Sequence, residues 1–298
     1  MKKKTVSIMV AATMALSLFA GCGSSKDTAT EDTSKTESTE TTDESSENAS
    51  AETTDESSRT TFTVGFDAEY PPYGYMDDDG EYTGFDLELA QAVCDKEGWE
   101  LVKKPINWDS KDMELNSGSI DCIWNGFTMN GREDDYTFSV PYVDNSQVIV
   151  VAENSGIEQL GDLAGKTVGV QAASAALDLL QSEDEGGQKA LADTFGSLNE
   201  FADYNTAFTE LQAGALDALA TPFGESSTAK YQLNSRGEGF KILDETLNTE
   251  QYAIGFKKGN QELCDIVNKD LQELANEGKV AELAEKYEIA DMVTLKAE

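Results

Sequence analysis

Leu115-Asn116-Ser117-Gly118-Ser119-Ile120-Asp121-Cys122-Ile123 is echoed by Leu211-Gln212-Ala213-Gly214-Ala215-Leu216-Asp217-Ala218-Leu219. Each copy reads as the end of a helix, a glycine cap and a buried strand. Upstream of each copy stands the same tripeptide, Thr63-Val64-Gly65 and then Thr167-Val168-Gly169. A generic αβ corner accounts for either echo alone. Two matches in the same order in both halves point to two similarly built lobes. Working outward, Phe62 to Phe66 reads as a strand. Phe85 to Glu97 reads as a helix, with Phe85, Leu89, Ala90, Val93 and Cys94 on one face and Asp86 placed to cap or charge its first turn. Asn260 to Tyr287 is helical, with Asn260 as its cap and an apolar stripe from Leu263 to Leu274. Alternating strands and helices make the fold class α/β. Ligands of open α/β sheets bind beyond the carboxyl ends of the strands, so the cleft between two lobes is the expected site.

Composition narrows the functions. The chain has 298 residues, of which 39% are hydrophobic, enough for a packed core. Lys and Arg number 22 against 57 Asp and Glu, a net charge of −35. So acidic a surface repels phosphate backbones and disfavours nucleic acid. The chain contains no His, which removes the usual general base and the commonest metal ligand. No catalytic triad, metal site or cofactor is expected.

The N-terminus reads as an export signal. Lys2, Lys3 and Lys4 precede an apolar run from Val6 to Ala20 that is short for a membrane span. The run ends in Leu18-Phe19-Ala20-Gly21-Cys22, which resembles a bacterial lipobox; residues 1–22 are then a lipoprotein signal peptide and Cys22 is lipidated. An ordinary signal peptide with a chance Cys is the plainer alternative. Residues 23–60 are rich in Ser, Thr, Glu and Asp and carry no aromatic residue. They are expected to be a disordered acidic tether. Cys94, Cys122 and Cys264 are an odd set without metal-ligand spacing, so buried free thiols are expected.

Several segments together resemble the family 3 bacterial solute-binding proteins, the polar amino-acid receptors of ABC importers. They are Val64-Gly65-Phe66-Asp67-Ala68-Glu69-Tyr70-Pro71-Pro72-Tyr73, Gly84 to Ala90, Ile120 to Thr128, Phe138 to Tyr142, Leu163 to Gln171 and Gly278 to Tyr287. The resemblance implies a type II periplasmic-binding-protein-like fold, two α/β lobes joined by two crossing strands. These strands are placed near Gln147–Ala152 and Gln251–Phe256. Lobe 1 is then 62–151 plus 250–298, and lobe 2 is 152–249. The implied protein is an exported, lipid-anchored monomer on the outer face of the membrane, and its partners are an amino acid and an ABC permease.

The resemblance also assigns a pocket. Arg132 matches the carboxylate-binding Arg, one residue nearer to Thr128 than is usual, and a guanidinium is suited to bidentate carboxylate capture. A surface Arg paired with Glu133 or Asp135 is the alternative. Asn125, Gly126 and Thr128 match the strand-end loop that bonds ligand polar atoms, and Tyr70 and Trp108 match positions flanking the ligand. In lobe 2, Ser174 opens a helix whose free amides suit a carboxylate. The family pattern there is Gly then two hydroxyl residues, and Ala173 and Ala175 depart from it. The family places an Asp for the ammonium five residues after the position of Asp217. Pro222 stands there, and Glu225 falls in register counting back from Tyr231. Glu225 is thus the candidate ammonium partner, against a plain helix-terminus charge, with Asp67 and Glu69 next in line. A dehydratase-like enzyme on this scaffold, or a chemosensory binding protein, would share the pocket. Absence of His weighs against the enzyme.

Overall fold

The structure is a computed structural model that describes residues 56–222, 233 and 239–298. The echo in the sequence has a direct physical meaning in it. Strand β1 (Thr61–Phe66) pairs in parallel with β5 (Glu100–Pro105) and with β6 (Cys122–Ile123). Asp121, just before β6, closes a ring with Thr63: the Thr63 N–H donates to the Asp121 carboxylate at 2.7 Å, and the Asp121 N–H donates to the Thr63 carbonyl at 2.8 Å. The second copy repeats this. Strand β9 (Thr167–Gln171) lies beside β11 (Ala218–Thr221), and Thr167 and Asp217 exchange the same two bonds at 2.8 and 2.9 Å. The glycine of each tripeptide admits the next hydrophobic side chain. A Cβ on Gly65 would lie 2.4 Å from Ile120, and one on Gly169 would lie 2.4 Å from Leu216.

Around these two corners stand two sheets. The first has the order β5-β1-β6-β14-β7, with β14 (Gly255–Lys257) antiparallel to β6 and to β7 (Tyr136–Phe138). Helix α1 (Phe85–Glu97) buries Phe85, Leu89, Ala90, Val93 and Cys94 against it and stops at Gly98, which is left-handed with φ 74. Helices α6 (Gln261–Asn276) and α7 (Lys279–Lys286) pack on α1, with Leu263, Val267, Leu271 and Leu274 buried. The second sheet has the order β10-β9-β11-β8-β12, with β10 at Ser197–Phe201, β8 at Val143–Ala152 and β12 at Phe240–Ile242. Helices α3 (Ala175–Gln181) and α5 (Tyr204–Gln212) follow β9 and β10.

Strand β8 is shared between two ladders. Its first half, Val143–Gln147, pairs antiparallel with β13 (Asn248–Tyr252), and its second half pairs with β11 and β12. The chain crosses between the sheets on that β8–β13 ladder, so both crossings fall about four residues before the positions read from sequence. The apolar run Val148–Val151 attracted the sequence reading, but it belongs to the second sheet. The crossing itself buries the polar residues Asn145, Gln147 and Glu250.

Three local expectations change. The described residues begin at Glu56, inside the expected tether: Glu56–Ser58 forms a 3-10 turn, and Arg59 pairs with Glu56 and with Asp121 at 2.8 Å. Asn260 makes no side-chain cap to α6. Asp86 does not cap α1 either. Its side chain is fully buried and accepts from the Gly126 N–H at 2.6 Å and the Tyr142 hydroxyl at 2.9 Å. The three cysteines are buried and free, as expected, and burial pushes the Cys94 thiol up to about 12.

Burial also pushes the Asp86 carboxyl up to about 7, against hydrogen bonds from Gly126 and Tyr142 that act the other way. In the folded state it therefore holds a proton that the unfolded chain has lost between about pH 4 and pH 7. The folded state binds more protons in that window, so stability falls as pH rises through it. Relief of the net charge on acidification acts in the same direction, and Asp86→Asn separates the two. Its urea midpoint is expected to vary less between pH 5 and pH 7 than that of the wild type. Parallel pH profiles would contradict this account of Asp86.

Candidate functional site

The carboxyl ends of β1, β6, β9 and β11 converge on one cleft. The first sheet supplies Tyr70, Trp108, Asn125, Gly126, Thr128 and Arg132 to its wall. The second supplies Gln171, Ser174, Ala175, Tyr204 and Pro222. Seven of the residues read from sequence thus line a single space. Glu225 and Cys22 lie outside the described residues.

Each side chain is held by its local structure. Gly126 has φ +55, and a Cβ there would lie 2.9 Å from the rings of Tyr70 and Tyr252. Only glycine lets the loop pass under those rings, and Asp86 holds its N–H. Tyr70 stacks on Tyr73 at 5.6 Å, and its hydroxyl bonds that of Tyr252 at 2.9 Å. Trp108 opens a 3-10 turn and stands edge-on to Phe127 at 5.8 Å. Asn125 accepts from the Asp67 N–H through its side-chain oxygen, which leaves its amide nitrogen buried without a partner.

Arg132 does not pair with Glu133 or Asp135. Its guanidinium lies 5.1 Å from the Phe127 ring and donates to the exposed Asp178 carboxylate on α3 at 2.6 Å. One donor is thereby engaged from the opposite sheet and another by the Thr128 carbonyl at 3.5 Å, and the rest remain for an anion in the cleft. Ser174 caps α3 as expected, accepting from the Leu177 N–H at 3.2 Å. Its own hydrogen goes to the Gln171 carbonyl at 2.7 Å, so the hydroxyl is not a donor to a ligand. Ala173 carries the left-handed backbone usual for glycine, with φ +53. Its carbonyl accepts from Lys111, a buried lysine across the cleft, at 3.0 Å. Burial, and Arg132 nearby, push the Lys111 ammonium down from its ordinary value. Gln171 reaches back from β9 and donates to Asp67 at 2.7 Å. Burial raises the Asp67 carboxyl. Four residues thus bond across the cleft: Lys111, Arg132, Gln171 and Asn205, the last donating to Glu69.

Sequence reasoning missed Gln147, Gln171, Tyr204 and Tyr252. Gln147 and Tyr252 come from the crossing ladder, whose register was placed too late. Gln171 ends a strand and closes the segment Leu163 to Gln171 without a role assigned to it, and Tyr204 opens a helix outside any motif, though the strand-end rule marks both positions.

The model of the bacterial extracellular solute-binding proteins, family 3, matches residues 62–290. The L-cystine-binding protein TcyJ of Escherichia coli is 29% identical over 237 residues, 78% of this chain and 85% of the relative. The arginine-binding extracellular protein ArtP of Bacillus subtilis is 32% identical over 227 residues, 75% of this chain and 84% of the relative. An ABC uptake transporter substrate-binding protein from Streptococcus pneumoniae, solved with bound histidine, superposes with a TM-score of 0.73 and 33% identity. That match covers 78% of this chain and 94% of the other.

Proposed function

The chain belongs to family 3 of the bacterial extracellular solute-binding proteins, and from that premise we propose that it captures a polar amino acid in the cleft and delivers it to an ABC importer. The relatives carry cystine, arginine and histidine in their names, ligands that differ in side chain and share the α-amino-acid head group. The observation that carries the reading is Arg132, partly buried on the cleft wall beside Thr128 and the Gly126 loop. It is the carboxylate partner; Tyr70 and Trp108 flank the side chain, and Glu225 meets the ammonium. The two lobes meet on the crossing ladder, so that Val148–Val151 falls in lobe 2 rather than in lobe 1, and they close by a hinge there.

A thermal denaturation screen against the twenty amino acids, cystine and small polyamines tests this. A ligand at a thousand times its Kd stabilises the folded state by about 4 kcal/mol. At least one amino acid is expected to raise the midpoint; no shift with any of them would overturn the proposal.

We propose further that Cys22 is the lipid attachment point, residues 23–55 the tether, and the mature protein a monomer at the outer face of the membrane. Among the described residues no helix is long and apolar enough to cross a membrane. Cys22→Ala is expected to move the protein from the membrane fraction into the medium with ligand affinity unchanged. Unaltered fractionation would contradict the anchor.

A further inference from the structure

Glu250 is a buried carboxylate in the middle of β13, 3% exposed, and among the described residues it has no ion-pair partner. Three neutral side chains satisfy it. Thr128 donates its hydroxyl to Oε2 at 2.9 Å, Asn145 donates to Oε1 at 2.7 Å, and the Gln147 amide nitrogen donates to both oxygens at 2.8 and 2.9 Å. Two of these donors, Thr128 and Gln147, also line the cleft.

Their orientation follows from the carboxylate. Thr128 has one hydroxyl hydrogen, and it is committed to Glu250, so its oxygen offers only lone pairs elsewhere. The Gln147 amide must turn its nitrogen to Glu250, because its oxygen there would oppose a carboxylate oxygen. Its Oε1 is left buried, without a partner, on a side chain 2% exposed. At these two residues the cleft wall therefore presents two acceptors, with the Glu250 carboxylate directly behind; burial pushes that carboxyl up, and its three hydrogen-bond donors and the charge of Arg132 act the other way. A ligand carboxylate placed there would face lone pairs and a like charge. A hydroxyl would fill one acceptor and a water could fill both, and either would leave the charge unanswered. An ammonium fills both acceptors and supplies the opposite charge.

We propose that Gln147 Oε1 and Thr128 Oγ1, held and charged by Glu250, form the subsite for the ammonium of the ligand, a reading that rests on the amino-acid proposal above. An ammonium has three hydrogens, so a third acceptor, the role given to Glu225, is compatible with it. With Arg132 at the carboxylate, the two head groups of the ligand are fixed in one direction. Glu250 is in this account a positioning residue, acting through Thr128 and Gln147.

The test is a preference. Binding of L-histidine, L-arginine and L-cystine is measured by calorimetry. Their deaminated analogues, imidazolepropionate, 5-guanidinopentanoate and 3,3′-dithiodipropionate, are measured by competition. In Glu250→Gln the preference of the bound amino acid over its analogue is expected to fall at least tenfold, because the new amide donates where a carboxylate accepted. Gln147→Met leaves Glu250 in place and removes one acceptor; it is expected to lower the same preference by a smaller factor. It serves alone if Glu250→Gln does not fold. A purely structural role would weaken both ligands together, so an unchanged preference in the folded variants overturns the subsite and leaves the amino-acid reading intact. Failure of the wild type to bind any amino acid in the thermal screen above overturns both.

Discussion

Arg132→Ala is expected to weaken amino-acid binding by about 2–5 kcal/mol, the usual loss when one partner of a buried charged pair is removed. The fold is expected to survive, because the guanidinium has only one acid partner in the described structure, Asp178, whose side chain is 62% exposed. An exposed bridge of that kind contributes at most about 1 kcal/mol. Asp178→Ala is the matching control. If Arg132 served only to tie α3 to the first sheet, the two variants would lose affinity alike. In the present account Asp178→Ala stays within a few-fold of wild type, since the guanidinium keeps its donors for the ligand. Titration calorimetry of the two variants decides between them, and equal losses would remove Arg132 from the carboxylate role.

Gly84→Ala is expected to be the most destabilising single-methyl change near the cleft. Gly84 has φ +135, a region essentially closed to other residues. An added Cβ would lie 2.2 Å from the Tyr73 carbonyl oxygen, which already accepts from the Asp86 N–H at 3.1 Å. The Phe85 N–H is held in turn by the Pro72 carbonyl at 2.8 Å. Both obstacles are backbone, so no side chain can swing aside. Backbone strain and overpacking together amount to about 3–5 kcal/mol. A urea midpoint corresponding to less than about 1 kcal/mol of loss would show that the segment from Pro72 to Asp86 yields more easily than its hydrogen bonds suggest.

Gly84 also illustrates what could be read from the sequence. The run Gly84 to Ala90 was recognisable as a motif, yet its two functions, the close approach of Gly84 and the inward turn of Asp86, depend on chain segments distant in sequence. The paired corners were legible because the same residues recur in the same order in both halves, although the Asp that returns to the Thr lies 58 residues away in the first copy and 50 in the second. The strand-end residues Asn125, Gly126 and Thr128 were legible because they directly follow the first of these corners in sequence. The crossing ladder was misplaced because hydrophobic patterning marks apolar strands, whereas Asn145, Gln147 and Glu250 are buried through mutual hydrogen bonding. No periodicity announces such a network. Ser174 was found as a cap, but only the geometry shows that its hydrogen is already committed to Gln171.

The central claim is that the cleft recognises the α-amino-acid head group itself. The most direct measurement is a calorimetric titration of the wild-type protein with the amino acid that stabilises it most and, separately, with the methyl ester of that amino acid. Esterification keeps the side chain and the ammonium and removes only the negative charge that Arg132 is placed to meet. The account predicts one binding site per chain for the free amino acid and affinity at least a hundredfold weaker for the ester, about 2.7 kcal/mol. Binding of the ester as tight as that of the free amino acid would contradict it.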